Sequence, residues 1–218
     1  RERIPVAWEP GVVALESRMG DALTADFPTF GLHWRGNAET TGTRAFDAFE
    51  RFRARSGVGE VDSIAGNIFA EFLRIAASHV LRRLPETHSR EALHAACHWL
   101  KEGSELSPDN CYLLNNLSVC RLRQEDLVSA RHSAKRATEA CPLHLNAHIN
   151  LLRVQFMQKD EKEAIATLVA LLETFAEDPA LVPKLERMAS GLQTGGFQAE
   201  GALLVEWLKR WKGGRVGE

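Results

Sequence analysis

The chain has 218 residues, of which 44% are hydrophobic and 26% are charged, and its formal net charge at pH 7 is -2. This composition is typical of a folded protein with a core of its own. The near-neutral charge gives no reason to expect nucleic acid as a partner. No apolar run approaches the roughly 20 residues of a membrane-spanning helix. We therefore expect neither nucleic acid nor a membrane among its partners.

The four cysteines (Cys97, Cys111, Cys120 and Cys141) form no CxxC pair and show no disulfide-dense spacing. That pattern predicts reduced thiols and a cytoplasmic location. No cationic start followed by an apolar signal core precedes them. The chain begins with Arg1 rather than Met, which indicates a piece of a longer protein.

Residues 1–60 are predicted to form an irregular extension with short helices. Two prolines in residues 1–10 favour an extended arm, and the apolar spacing over residues 12–27 is compatible with one amphipathic helix. The aromatic residues of the glycine-interrupted stretch 28–42 either pack on the neighbouring core or form a binding loop. A further helix begins after the N-cap residue Thr43 and carries a core-facing aromatic stripe of Phe46, Phe49 and Phe52.

From residue 61 onward, helical periodicity recurs between breaks at Pro85, Pro108 and Gly195–Gly196, and Pro179 is predicted to open one of the helices. The polar turns RQED and QKDE are short, so they should join antiparallel helices. No stretch shows the alternation typical of a strand. The sequence therefore predicts an all-α protein with helices near 61–84, 90–106, 110–122, 126–140, 144–157, 161–175, 179–192 and 197–211.

The stretch from Pro108 to Glu173 repeats itself at an offset of 34 residues. A fixed period of this length indicates helix pairs that bury their apolar faces by stacking on neighbouring pairs. The pairs that match at this offset are Asn116 with Asn150, Leu117 with Leu151, Gln124 with Gln158, Asp126 with Asp160, and Ala130 with Ala164.

The repeat resembles the tetratricopeptide repeat family. The resemblance implies a right-handed α-solenoid of antiparallel helix pairs over residues 61–193. Residues 1–60 would add N-terminal helices, and residues 194–218 would form a capping helix and tail. The residues on the family's signature positions are Leu114, Asn116, Leu117, Ala130, Ala134, Ala137 and Pro142 in one unit, and His148, Asn150, Leu151, Ala164, Leu168 and Leu171 in the next.

Several signature positions depart from the family pattern. Ser118 and Leu152 replace the glycine, and Arg121 and Gln155 replace the tyrosine. These changes predict interhelical packing that differs from the family's. Pro179 falls three residues late, which predicts that the last helix of the second unit is about one turn longer.

By the family's geometry, the first helices of the units line a concave groove that binds a peptide or helix of a partner protein. Asn side chains can donate to and accept from a peptide backbone, and Arg can bind a carboxylate through two hydrogen bonds. A purely structural role for Asn116 and Asn150 remains an equal alternative. No lysine stands where some family members bind two carboxylates of chaperone tails. The candidate partner-binding residues are Tyr112, Asn115, Asn116, Val119, Arg123, Asn146, Asn150, Arg153 and Met157.

Nothing in the sequence indicates catalysis, a cofactor or a metal. His94, Cys97 and His98 share one helical face, but they lack a fourth ligand and read better as ordinary helix residues. The phosphate-binding and nucleophile-elbow motifs are absent from the sequence.

The sequence therefore favours a non-catalytic adaptor or scaffold, bacterial in appearance. An alternative is a helical recruiting or regulatory domain of a larger enzyme or complex. The Trp207 and Trp211 face of the last helix is predicted to cap the array, and it could also support a homo-oligomer.

Overall fold

A computed structural model describes residues 63–87 and 90–215 of the chain, and every regular element in these ranges is an α-helix. The all-α prediction is confirmed for this part of the chain. The features predicted within residues 1–60 lie outside the described residues. The helices are α1 (Ser63–Thr87), α2 (Arg90–Leu106), α3 (Cys111–Arg123), α4 (Leu127–Ala140), α5 (Leu145–Met157), α6 (Glu161–Thr174), α7 (Leu181–Thr194) and α8 (Gln198–Arg215).

The chain divides into two compact units, residues 1–107 and 108–218. In the first unit α1 packs against α2. The predicted stop at Pro85 is wrong, because α1 continues through it to Thr87. The buried apolar residues of the α1–α2 pair include Phe69, Leu73, Val80, Ala96, Trp99 and Leu100.

None of the described helices is both long and apolar enough to cross a lipid bilayer.

In the second unit three helix pairs close through turns of one backbone geometry. Each turn contains a residue with positive φ, namely Glu125 (62°), Lys159 (58°) and Gly196 (92°). The residue that follows each of them donates its backbone N–H to the carbonyl five positions earlier, at 3.0, 3.0 and 2.9 Å. Such a bond satisfies a carbonyl that the end of the first helix would otherwise leave unpaired. The pair α7–α8 thus closes in the same way as α3–α4 and α5–α6.

The first two turns also share an N-cap. The Asp126 carboxylate accepts the backbone N–H of Ser129 at 3.0 Å, and that of Asp160 accepts the N–H of Glu163 at 3.4 Å. The hydrogen bonds with Ser129 are the main reason why the pKa of Asp126 lies below its ordinary value, and the Arg121 charge contributes less. These caps fix where α4 and α6 begin.

The second helix of each pair follows Asp126, Asp160 or Phe197, and a small residue lies four positions after each of these. The small residue lets the paired helices approach closely. Ala130 and Ala164 are fully buried, and Gly201 is buried at the same place in α8. A Cβ atom added to Gly201 would lie 2.5 Å from Cγ of Gln193 and 2.8 Å from the carbonyl oxygen of Ala189. The third pair therefore packs more closely than an alanine would allow.

An extensive hydrophobic cluster of this unit joins α5, α6, α7 and α8. Trp207 and Trp211 are half-buried and pack against this cluster, which accounts for part of their apolar surface. The prediction that α6, the last helix of the second sequence repeat, is about one turn longer is wrong, because α6 and α4 each have 14 residues. The additional residues instead form the connection 175–180, whose first residue, Phe175, is buried in the cluster.

Candidate partner-binding surface

The helices α3, α5 and α7 are the first members of the three pairs, and α5 packs against both of the others. All nine candidate partner-binding residues lie on α3 or α5. Two of them, Asn115 and Asn150, are buried and joined by a hydrogen bond of 2.8 Å from Nδ2 of Asn150 to Oδ1 of Asn115. Asn150 therefore acts between helices, and its partner is Asn115 rather than its repeat equivalent Asn116.

Arg123 and Arg153 lie in the C-terminal halves of α3 and α5, and they are near enough for the charge of one to affect the other. Burial lowers the pKa of both side chains, and the charge of Arg123 lowers that of Arg153 further. Arg153 is half-buried and has no carboxylate partner in the described part of the chain. A half-buried cation beside a second cation is electrostatically unfavourable unless an anion joins them.

An aromatic and polar cluster lies at the opposite end of the same helices. The Tyr112 side chain is 58% exposed, and its ring meets the ring of His144 edge to face with 4.7 Å between centroids. The pKa of His144 is lowered first by burial and then by the charges of His148 and Lys184. Nζ of Lys184 donates to Oδ1 of Asn146 at 2.6 Å. This cluster joins α3, α5 and α7.

The two clusters lie on the same side of α5. Asn146 and Arg153 are seven residues apart, which is about two turns and about 10 Å along a helix. We call the residues of both clusters the α3–α5–α7 surface; they are Tyr112, Arg123, His144, Asn146, Arg153 and Lys184.

The remaining candidates are only partly accessible. Asn116, Val119 and Met157 are half-buried, and Met157 packs against two core clusters. The sequence did not indicate His144 or Lys184. His144 is the N-cap residue of α5, and Lys184 pairs with Asn146 at an offset of 38 residues because the connection 175–180 shifts α7 relative to the repeat.

A disulfide bond joins Cys111 to Cys141, with 5.8 Å between their Cα atoms. All four cysteines lie in the described part of the chain, and none is a free thiol. The prediction of reduced thiols is therefore wrong, and it no longer supports a cytoplasmic location. The two residues are 30 positions apart but meet because α3 and α4 are antiparallel, so the start of one lies beside the end of the other. Local spacing motifs do not detect such a pair.

Metal ligation has no support within residues 63–87 and 90–215. No group of three or more His, Cys, Asp and Glu side chains there is placed to hold an ion. Cys97, which shares a helical face with His94 and His98, is disulfide-bonded and so offers no thiolate ligand.

Comparison with known proteins gives no assignment for this chain. Neither a protein-family model nor a curated protein matches it. The functional argument therefore depends on the residues and geometry described above.

Proposed function

We propose that this chain is a non-catalytic interaction module, an adaptor or scaffold, that binds a short acidic peptide of a partner protein. In this proposal α3 to α8 form a brief solenoid of the tetratricopeptide type, whose first helices line the binding groove. The recurrent turn geometry of the three pairs supports the proposal, as do the small residues Ala130, Ala164 and Gly201 at equivalent positions.

The observation that carries the proposal is the half-buried Arg153 side chain, which lacks a carboxylate partner in the described part of the chain. The charge of Arg123 is near enough to lower the pKa of Arg153. Guanidinium groups bind carboxylates through two parallel hydrogen bonds, which are stronger than bonds between neutral groups. An Asp or Glu side chain of a peptide, or its C-terminal carboxylate, would supply the missing negative charge.

The other end of the α3–α5–α7 surface supplies groups that suit the rest of a peptide. The exposed face of Tyr112 offers a large rigid contact, and the Asn146 amide and Lys184 ammonium offer polar contacts. The distance of about 10 Å between the levels of Asn146 and Arg153 on α5 corresponds to about three residues of extended chain. A short segment would therefore reach both clusters.

Charge and size favour a peptide over nucleic acid. The net charge of the chain is -2, whereas binding to a nucleic acid backbone depends on many cations that each neutralise a phosphate. The α3–α5–α7 surface offers only three Lys or Arg side chains, which are Arg123, Arg153 and Lys184.

The proposal can be tested by selection of peptides from a random displayed library on the immobilised 218-residue chain. We expect the selected peptides to be enriched in Asp and Glu and their binding to weaken as salt concentration rises. Selected peptides without such enrichment, or binding of single-stranded nucleic acid in preference to every peptide, would contradict the proposal.

A further inference from the structure

The structure places the disulfide bond directly beside the aromatic end of the proposed binding surface. We propose that the Cys111–Cys141 bond controls peptide binding, so that the oxidised protein binds and reduction weakens binding. This inference depends on the peptide-binding function proposed above and adds its regulation.

The two sulfur atoms are connected to the two aromatic rings by very short stretches of chain. Cys111 is the first residue of α3, and Tyr112 follows it directly. Cys141 caps the end of α4, and the backbone N–H of His144 donates to the Cys141 carbonyl at 3.0 Å. The disulfide therefore links the residue directly before Tyr112 to the residue three positions before His144.

Few other contacts hold the connection between α4 and α5. Leu143 is 81% exposed, and His144 caps α5 without a side-chain hydrogen bond. Within the connection, the carbonyl of Pro142 is paired with Nε2 of His148 at 2.8 Å. Because so few restraints remain, loss of the covalent bond gives the connection more conformational freedom. The edge-to-face contact of Tyr112 with His144 then has to be ordered again when a peptide binds, and the lost conformational entropy weakens the affinity.

The accessibility of the two cysteines defines how reduction proceeds. Cys141 is half-buried whereas Cys111 is 2% exposed, so a thiolate of an added dithiol attacks Sγ of Cys141. The S–S bond breaks, and Cys111 leaves as a thiolate, which the N-terminus of α3 stabilises before it takes a proton from water. The second thiol of the reductant then closes on the first and releases Cys141. Two electrons have passed to the protein, and the dithiol has become a disulfide.

The end of the α3–α5–α7 surface that holds Arg123 and Arg153 should change little in structure when the disulfide is reduced. Arg123 lies twelve residues from Cys111, which is about 18 Å along α3. Reduction should therefore weaken binding without abolishing it, and the dependence of binding on Arg153 should persist.

Tyr112 provides a direct probe because it is the only tyrosine in the chain. We expect a protein labelled with carbon-13 only at Cζ of its tyrosine ring to give one sharp signal when oxidised. Treatment with dithiothreitol, or the substitution of both Cys111 and Cys141 by Ala, should shift or broaden that signal, and reoxidation of the wild type should restore it. A signal that is unchanged both in the dithiothreitol-treated wild type and in the double Ala variant would overturn the inference.

The affinity for a selected acidic peptide gives the second measurement. We expect about three- to tenfold weaker binding in the reduced wild type and in the double Ala variant, with retained helical circular dichroism. Equal affinity in oxidised and reduced protein, with binding still dependent on Arg153, would overturn the redox inference and leave the proposed function in place. Failure of the oxidised protein to bind any acidic peptide would overturn both.

Discussion

Asn150 donates from Nδ2 to Oδ1 of Asn115 at 2.8 Å, and both side chains are buried between α3 and α5. The bond joins the first helices of two successive pairs. A buried amide without a partner is costly, so this bond fixes the registry of α5 against α3. It also removes two amides from the set available to a ligand.

Substitution of Asn150 by Ala should lower the free energy of unfolding by about 1–3 kcal/mol, because it leaves the buried Asn115 amide without this partner. Urea denaturation measures the change. Substitution of Asn146 by Ala is the matched control; it removes only a solvent-exposed hydrogen bond with Lys184 and should change the free energy of unfolding by less than about 1 kcal/mol. If the effects of Asn115→Ala and Asn150→Ala are additive in the double variant, the bond does not couple the two residues.

Substitution of Gly201 by Ala should lower the free energy of unfolding by about 1–3 kcal/mol, because the new methyl group would overlap Gln193 and the Ala189 carbonyl. Gly191 on α7 is the matched control. A Cβ atom there meets nothing within 4 Å, so Gly191→Ala should stabilise the protein by up to about 1 kcal/mol. Thermal unfolding of both variants checks the pair, and a stabilising Gly201→Ala would show that α7 and α8 are not in close contact there.

The Asp126 cap should produce a stability change at acidic pH. Because the folded pKa lies below the reference value of 3.8, the carboxylate contributes stability above pH 3.8 that is lost as the pH falls through the folded pKa. Asp126→Ala should remove the cap and cost about 1 kcal/mol at neutral pH. Asp126→Asn should keep most of the cap but flatten this part of the pH profile. Unfolding curves recorded from pH 7 to pH 2 separate the two variants, and identical profiles for the Asp126→Asn variant and the wild type would refute the assignment.

Periodicity was sufficient to predict the helices because each helix buries one regular apolar stripe. The first two turns could be predicted as well, since Asp126 and Asp160 stand at the same place in the repeat. The third turn could not, because Gly196 and Phe197 replace the polar turn residues while the backbone keeps the same geometry. Pattern matching detects side-chain identity, whereas a left-handed turn residue can be Glu, Lys or Gly.

The candidate surface was predicted less well than the fold. Helical spacing selected α3 and α5 and included Arg123 and Arg153, but it could not separate the buried Asn115–Asn150 pair from accessible amides. Nor could it indicate Lys184, whose pairing with Asn146 depends on the connection that precedes α7. The oxygen atoms of Ser118 and Gln155, which depart from the family pattern, are buried and have no hydrogen-bond partner in the described residues. Whether such a position tolerates a polar atom depends on neighbours that are distant in sequence.

The central claim is that Arg153 binds a carboxylate of the partner, and calorimetric titration with a selected acidic peptide tests it most directly. Arg187 on α7 is exposed and is a suitable control, because Arg187→Ala removes the same charge from another part of the same unit. We predict that Arg153→Ala weakens binding by about 1.5–3 kcal/mol and that Arg187→Ala changes it by less than about 0.5 kcal/mol. Equal affinities of the Arg153→Ala variant and the wild type, with both proteins folded, would contradict the claim.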